Sequence, residues 1–121
     1  MNNKVIACLI TSSPRDEHAT RNALNTVRNM LANNVTIDHL FFYADGVDVA
    51  NACLSTAGDD ESPTQAWQHI ANAHGIPLIV CVTAAEKRGI SAETNLANYF
   101  EAHGMGEFFS RLHSVETLVQ L

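Results

Sequence analysis

Two stretches of this chain carry no polar interruption: Val5-Ile6-Ala7-Cys8-Leu9-Ile10 and Pro77-Leu78-Ile79-Val80-Cys81-Val82. A strand with one wet face alternates apolar and polar residues, whereas an unbroken apolar run suits a strand covered on both faces, as in a parallel sheet flanked by helices. Such runs alternate here with segments of helical spacing. The chain therefore reads as an α/β domain, three-layered, with a mainly parallel sheet of about five strands. Its 121 residues suffice for one core and not two, so residues 1–121 are taken as a single domain.

The elements follow in order. Ser13-Pro14-Arg15-Asp16 reads as an N-cap with proline at the first helical position. Ala19, Ala23, Leu24, Val27, Met30 and Leu31 then form one apolar stripe as far as Asn33-Asn34. Residues 35–43 read as the second strand, Asp45-Gly46 as a turn, 47–54 as a short helix and Gly58-Asp59-Asp60-Glu61 as a polar loop. Ser62-Pro63-Thr64-Gln65 is a capping box, and its helix runs to His74, where Gly75 and Pro77 stop it. Past the second apolar run, Thr83-Ala84-Ala85-Glu86 has the spacing of another capping box, opening a short helix through Arg88 to Gly89. Ser91 is expected to cap a further helix ending near His103-Gly104. Residues 105–112 read as helical and 115–121 as the last strand.

Composition removes several functions. A net charge of −6 with only seven Lys and Arg disfavours direct nucleic-acid binding, which needs a basic surface to displace counterions. No apolar run approaches the ~20 residues that span a bilayer. The six apolar residues after Lys4 are too short for the core of a signal peptide, so the expected location is cytoplasmic and no membrane partner is expected. Three widely spaced cysteines, an odd number, do not make a disulfide framework and fit reduced thiols.

Cys81 is the candidate for chemistry. It closes a buried strand two residues before a helix-start signature, in the positive field of a helix N-terminus, which favours thiolate over thiol. Strand carboxyl ends are also where open α/β sheets gather ligands, and Thr11-Ser12-Ser13, Ala44-Asp45-Gly46 and Cys81-Val82-Thr83 should converge there. The position equally suits a small apolar core residue. Lys87 and Arg88 would support a thiolate if they faced it. Cys8, in mid-strand, reads as core. Cys53 reads as structural or incidental, or as a second sulfur station if its loop folds over Cys81. His69 and His74 do not share a helical face and no cysteine pair assists them, so no metal is expected. His18 is either an acid or base near the site or a solvated residue, Trp67 a core anchor, and Asp45 a turn former. There is no phosphate loop, dinucleotide turn, nucleophile elbow or Cys-x-x-Cys. Single-cysteine chemistry remains: nucleophilic attack, oxidation sensing, or carriage of a sulfur atom.

Three segments, taken together, resemble a known family. Phe41-Phe42-Tyr43-Ala44-Asp45-Gly46-Val47 with Ala50-Asn51, Ala66-Trp67-Gln68 with His74-Gly75, and residues 79–90 around Cys81-Val82-Thr83-Ala84-Ala85-Glu86-Lys87-Arg88-Gly89 are similar to the DsrE/TusD-like sulfur-relay family. The loop after the first strand, Ser12-Ser13-Pro14-Arg15-Asp16, departs from that family's glycine-containing pattern. The resemblance implies a flavodoxin-like fold and a sulfurtransferase whose Cys81 carries sulfane sulfur as a persulfide. Backbone N–H groups of Thr83, Ala84 and Ala85, with Arg88, would support it, and no cofactor would be needed. It further implies small sulfur-carrier proteins as donor and acceptor, as in wobble 2-thiouridine synthesis on tRNA or in sulfur oxidation, and assembly into homo- or hetero-oligomers of DsrE-like subunits. Two other readings stay open: a non-catalytic assembly subunit, and a small-molecule-binding α/β domain.

Overall fold

The computed structural model describes residues 5–54 and 61–121. Gly58-Asp59-Asp60 of the expected polar loop lie outside the described residues. The unbroken apolar run Val5–Ile10 forms β1, with a neighbour on each side as its composition demands: β2 (Thr36–Phe42) and β5 (Thr117–Gln120). β3 (Leu78–Cys81) pairs with β2, and β4 (Phe100–His103) is the outer strand. The order is β4-β3-β2-β1-β5, and every pair is parallel.

Parallel neighbours need crossover connections, and these are right-handed. Steps from β1 to β2 and from β2 to β3 run in one direction, so α1 (Glu17–Ala32) and α2 (Pro63–His74) lie on one face. Ile6, Cys8, Ile10, Leu40, Phe42, Leu78 and Val80 pack there against Leu24, Val27, Trp67 and Ile70. Trp67 meets Phe42 edge-on at 5.5 Å, the core anchor expected of it. The step from β4 back to β5 reverses direction and carries α4 (Met105–Arg111) across the opposite face. The result is three layers around a five-stranded parallel sheet, the expected α/β class. The strand order differs from the 2-1-3-4-5 of flavodoxin itself, and that difference is what leaves a single return crossover on the second face.

Local chemistry moved several boundaries. α1 is capped by Asp16, whose Oδ1 accepts from the Ala19 N–H at 3.0 Å, and not by Ser13. Ser13 accepts instead from the Arg15 N–H, which uses its hydroxyl in the turn before the helix. The Ser62–Gln65 capping box and the left-handed Gly75 at φ 66° form as expected. The segment after β2 is a 3-10 helix, Ala44–Ala50, and it starts and ends earlier than the expected helix over 47–54.

Ser91 does not start a helix. Its carbonyl accepts from Thr94, Asn95 and Leu96, while the Asn95 side chain bonds the Ser91 N–H and the Gly89 carbonyl. One turn closes on itself, and the chain then extends into β4, where Phe100 and Ala102 face the α2 side and Glu101 and His103 the other.

Gly46 has no room for a side chain: a Cβ there would lie 2.3 Å from the Ile10 carbonyl oxygen. That carbonyl also accepts from the Tyr43 N–H, so the ends of β1 and β2 are clamped together. Gly46→Ala is expected to cost more than 2 kcal/mol, because backbone and not a flexible side chain must yield. Urea denaturation compared with wild type measures it.

Candidate functional site

Because all strands are parallel, β1, β2 and β3 end at one edge, where the three rim segments converge as expected. Cys81 is the last residue of β3 and also the N-cap of α3 (Val82–Lys87), so strand passes into helix with no intervening loop. That direct junction removes the expected capping box. Thr83 already lies inside the helix, and no side chain caps it. By helical spacing the N–H groups of Val82, Thr83 and Ala84 stay free of intrahelical bonds, whereas that of Ala85 is the first to be taken. Ala85 is buried in the larger core, and Ala84 packs between the two clusters.

The thiol side chain faces the second face of the sheet and is 3% exposed. It belongs to a small cluster with Phe41, Ile79 and Phe108, bordered by Leu9, Ala84, Met105 and Leu112. The accessible sulfur expected at the rim is thus covered in this chain, and α4 is what covers it. Phe108 pins α4 to the sheet by stacking on Phe41 at a 4.0 Å centroid separation and meeting His39 edge-on at 5.9 Å. Below it, His39 Nδ1 and Asp38 Oδ2 are 2.7 Å apart, and Arg111 approaches the same carboxylate at 4.0 Å.

Arg88, expected to support the sulfur, is engaged by carboxylates instead. Its guanidinium contacts Asp45 and Asp48 at 2.5 and 3.3 Å, tying α3 to the 3-10 segment after β2. Asp45 is therefore an ion-pair partner as well as a turn residue. Cys53 is exposed on the turn after that segment and is not part of the Cys81 cluster. His18 is an exposed residue of α1 bonded to Asn22. Among the described residues no group of His, Cys, Asp and Glu could hold a metal ion. Among them, too, no helix is long and apolar enough to cross a membrane.

One neighbour escaped the sequence reading. In the ladder between β3 and β4, Cys81 pairs with His103 and Ile79 with Glu101, so all four side chains lie on the same face. His103 Nε2 is 3.3 Å from Glu101 Oε1, and the ring is partly exposed. The period-two alternation Phe100-Glu101-Ala102-His103 was the available signal, hidden by the helix start assigned to Ser91.

Taken with the fold, these features define a parallel α/β domain that presents one strand-end cysteine beneath a crossover helix. A family model described as DsrE/DsrF-like matches residues 4–121, and the chain belongs to the DsrE/DsrF-like family. It is 34% identical over 125 residues to a protein of Erwinia tasmaniensis named sulfurtransferase TusD, covering 93% of this chain and 97% of that one. It is 32% identical to a Pasteurella multocida protein named as a TusD homolog, over 82% of this chain and 85% of the other. Among solved structures, the ychN protein from E. coli superposes with a TM-score of 0.75 at 20% identity, covering 98% of this chain and 99% of its own. A Methanobacterium thermoautotrophicum protein of unknown function, MTH1491, gives 0.71 at 15%, covering 99% of this chain and all (100%) of that one. These two establish the fold.

Two outcomes follow from the burial. Phe108→Ala removes the ring over Cys81; it is expected to cost about 3 kcal/mol and to speed iodoacetamide labelling of Cys81, read by peptide mapping. Cys8 is fully buried, and desolvation pushes its thiol up to about 11 from 9.0. The unfolded chain releases that proton first, so the stability contribution is complete below pH 9 and declines as pH rises to about 11. Denaturation curves across that range should lose about 3 kcal/mol in wild type beyond whatever Cys8→Ala loses.

Proposed function

We propose that this protein is a sulfur-relay sulfurtransferase in which Cys81 accepts sulfane sulfur as a persulfide and passes it to a downstream carrier thiol. The observation that carries the reading is the position of Cys81, the final residue of β3 and the N-cap of α3, in a chain similar over most of its length to proteins named sulfurtransferases. The Cys81 thiol, losing its proton, attacks the outer sulfur of a donor R–S–SH; the donor's S–S bond breaks and the leaving R–S⁻ takes up that proton, giving Cys81–S–SH and R–SH. An acceptor thiolate then takes the outer sulfur and returns Cys81 to the thiol, in steps akin to thiol–disulfide exchange. Neither step changes the number of electrons overall, so no oxidant is consumed. The N–H groups of Thr83 and Ala84, free of intrahelical bonds in the first turn of α3, are the hydrogen-bond donors this reading assigns to the transferred sulfur. The acidic balance, −6, suits protein partners of the small sulfur-carrier type, with tRNA thiolation or sulfur oxidation as the destination. Assembly with further DsrE-like subunits is part of the same reading.

With Sγ covered by Phe108 and Met105, transfer requires α4 to shift when a donor docks. The same burial favours a second reading, a non-catalytic assembly subunit with an inert Cys81. Incubation with a small persulfide followed by intact mass measurement separates the two. Wild type and Cys8→Ser should each gain one sulfur atom on Cys81, and Cys81→Ser none. Equal loading of Cys81→Ser and wild type would reject the relay.

A further inference from the structure

We propose that His103, oriented by Glu101, is the general base that takes the proton from the Cys81 thiol and later returns it to the departing sulfur. The inference rests on the relay reading of Cys81 and adds a residue that lies outside the motifs around it. Paired residues of adjacent parallel strands stand side by side on one face, about 4.8 Å apart along the hydrogen-bonding direction. Cys81 and His103 are such a pair, and His103 is the one ionisable side chain that the β3–β4 ladder sets beside this thiol.

The chemistry of the trio is that of an activated nucleophile: thiol, imidazole, and a carboxylate that orients the imidazole. With Nε2–H donated to Glu101 Oε1, Nδ1 is the free basic nitrogen. Among the described residues neither ring nitrogen is hydrogen-bonded to Sγ, the loose resting geometry that such pairs often show before substrate binds. Cys81 is covered by Met105 and Phe108, so a proton acceptor at the paired position of β4 would meet Sγ where water has little access, and the His103 ring itself is partly exposed.

The proton balance is explicit. As Sγ loses its proton to Nδ1, it attacks the outer sulfur of R–S–SH; the S–S bond of the donor breaks and R–S⁻ leaves. The imidazolium then protonates R–S⁻, leaving R–SH, Cys81–S–SH and neutral His103. Ionisable groups on the surrounding elements are Glu101 on the same strand, Glu86 and Lys87 on α3, and Glu107 and Arg111 on α4. Arg111 lies 3.9 Å from Glu107 and 4.0 Å from Asp38.

The test is the rate of sulfur uptake from cysteine persulfide across pH, read by intact mass, in wild type, His103→Gln, Glu101→Gln and the exposed-residue control His74→Gln. The expected result for His103→Gln is a loss of about tenfold or more near pH 7 that disappears as pH rises and the thiol ionises unaided. Added imidazole should restore part of the rate. Glu101→Gln should fall between the two, and His74→Gln should match wild type. A His103→Gln profile superimposable on wild type, or a deficit that persists equally at high pH, overturns the base assignment while leaving the relay intact. Failure of wild type itself to load overturns both.

Discussion

Everything distinctive in this molecule depends on one constraint: a sheet whose strands all run the same way cannot be closed by hairpins. The chain spends its early crossovers on one face, and so must return from β4 to β5 across the other. That return segment is short, and Phe108 is its anchor, set on Phe41 and His39. Cys81 and Ile79 are the residues of β3 that point at it. The covering of the sulfur is thus a consequence of topology, and not an independent feature of the site.

The same constraint makes the two faces energetically unequal. The α1/α2 face buries a continuous core from Ile6 to Phe100, whereas the apolar cluster on the α4 face has four buried members and borrows the rest from partly exposed neighbours. A local opening free energy scales with the apolar surface that must be uncovered, so the second face is the one that opens at least cost. The clamp between β1 and β2 at Gly46 and the Arg88 bridge to Asp45 and Asp48 keep the rim itself in place while that happens.

Much of the fold was legible in residue order. β1 and β3 were marked by unbroken apolar runs, and α2 by its capping box and the left-handed Gly75, because burial on both faces and cap chemistry are local demands. The misreadings share a cause. Ser13, Thr83 and Ser91 each looked like an N-cap, and each hydroxyl or backbone group was claimed by something nearer: a turn before α1, a helix already begun at Val82, a closed turn held by Asn95. A four-residue edge strand with two polar residues, β4, has too little pattern to outweigh such a signal. The site was legible in the same proportion. Cys81 could be singled out from its strand end, but neither its cover nor its neighbour could.

By itself the order of residues determined the class of the domain, the strand that ends in Cys81, and the poverty of positive charge that disfavours nucleic-acid binding, since these depend on local pattern and composition. Only the tertiary structure decided that Phe108 lies over that sulfur, that Arg88 is held by two carboxylates, and that His103 stands beside the thiol. Those contacts join residues 22 to 43 positions apart through strand register and crossover handedness, and no local preference encodes either.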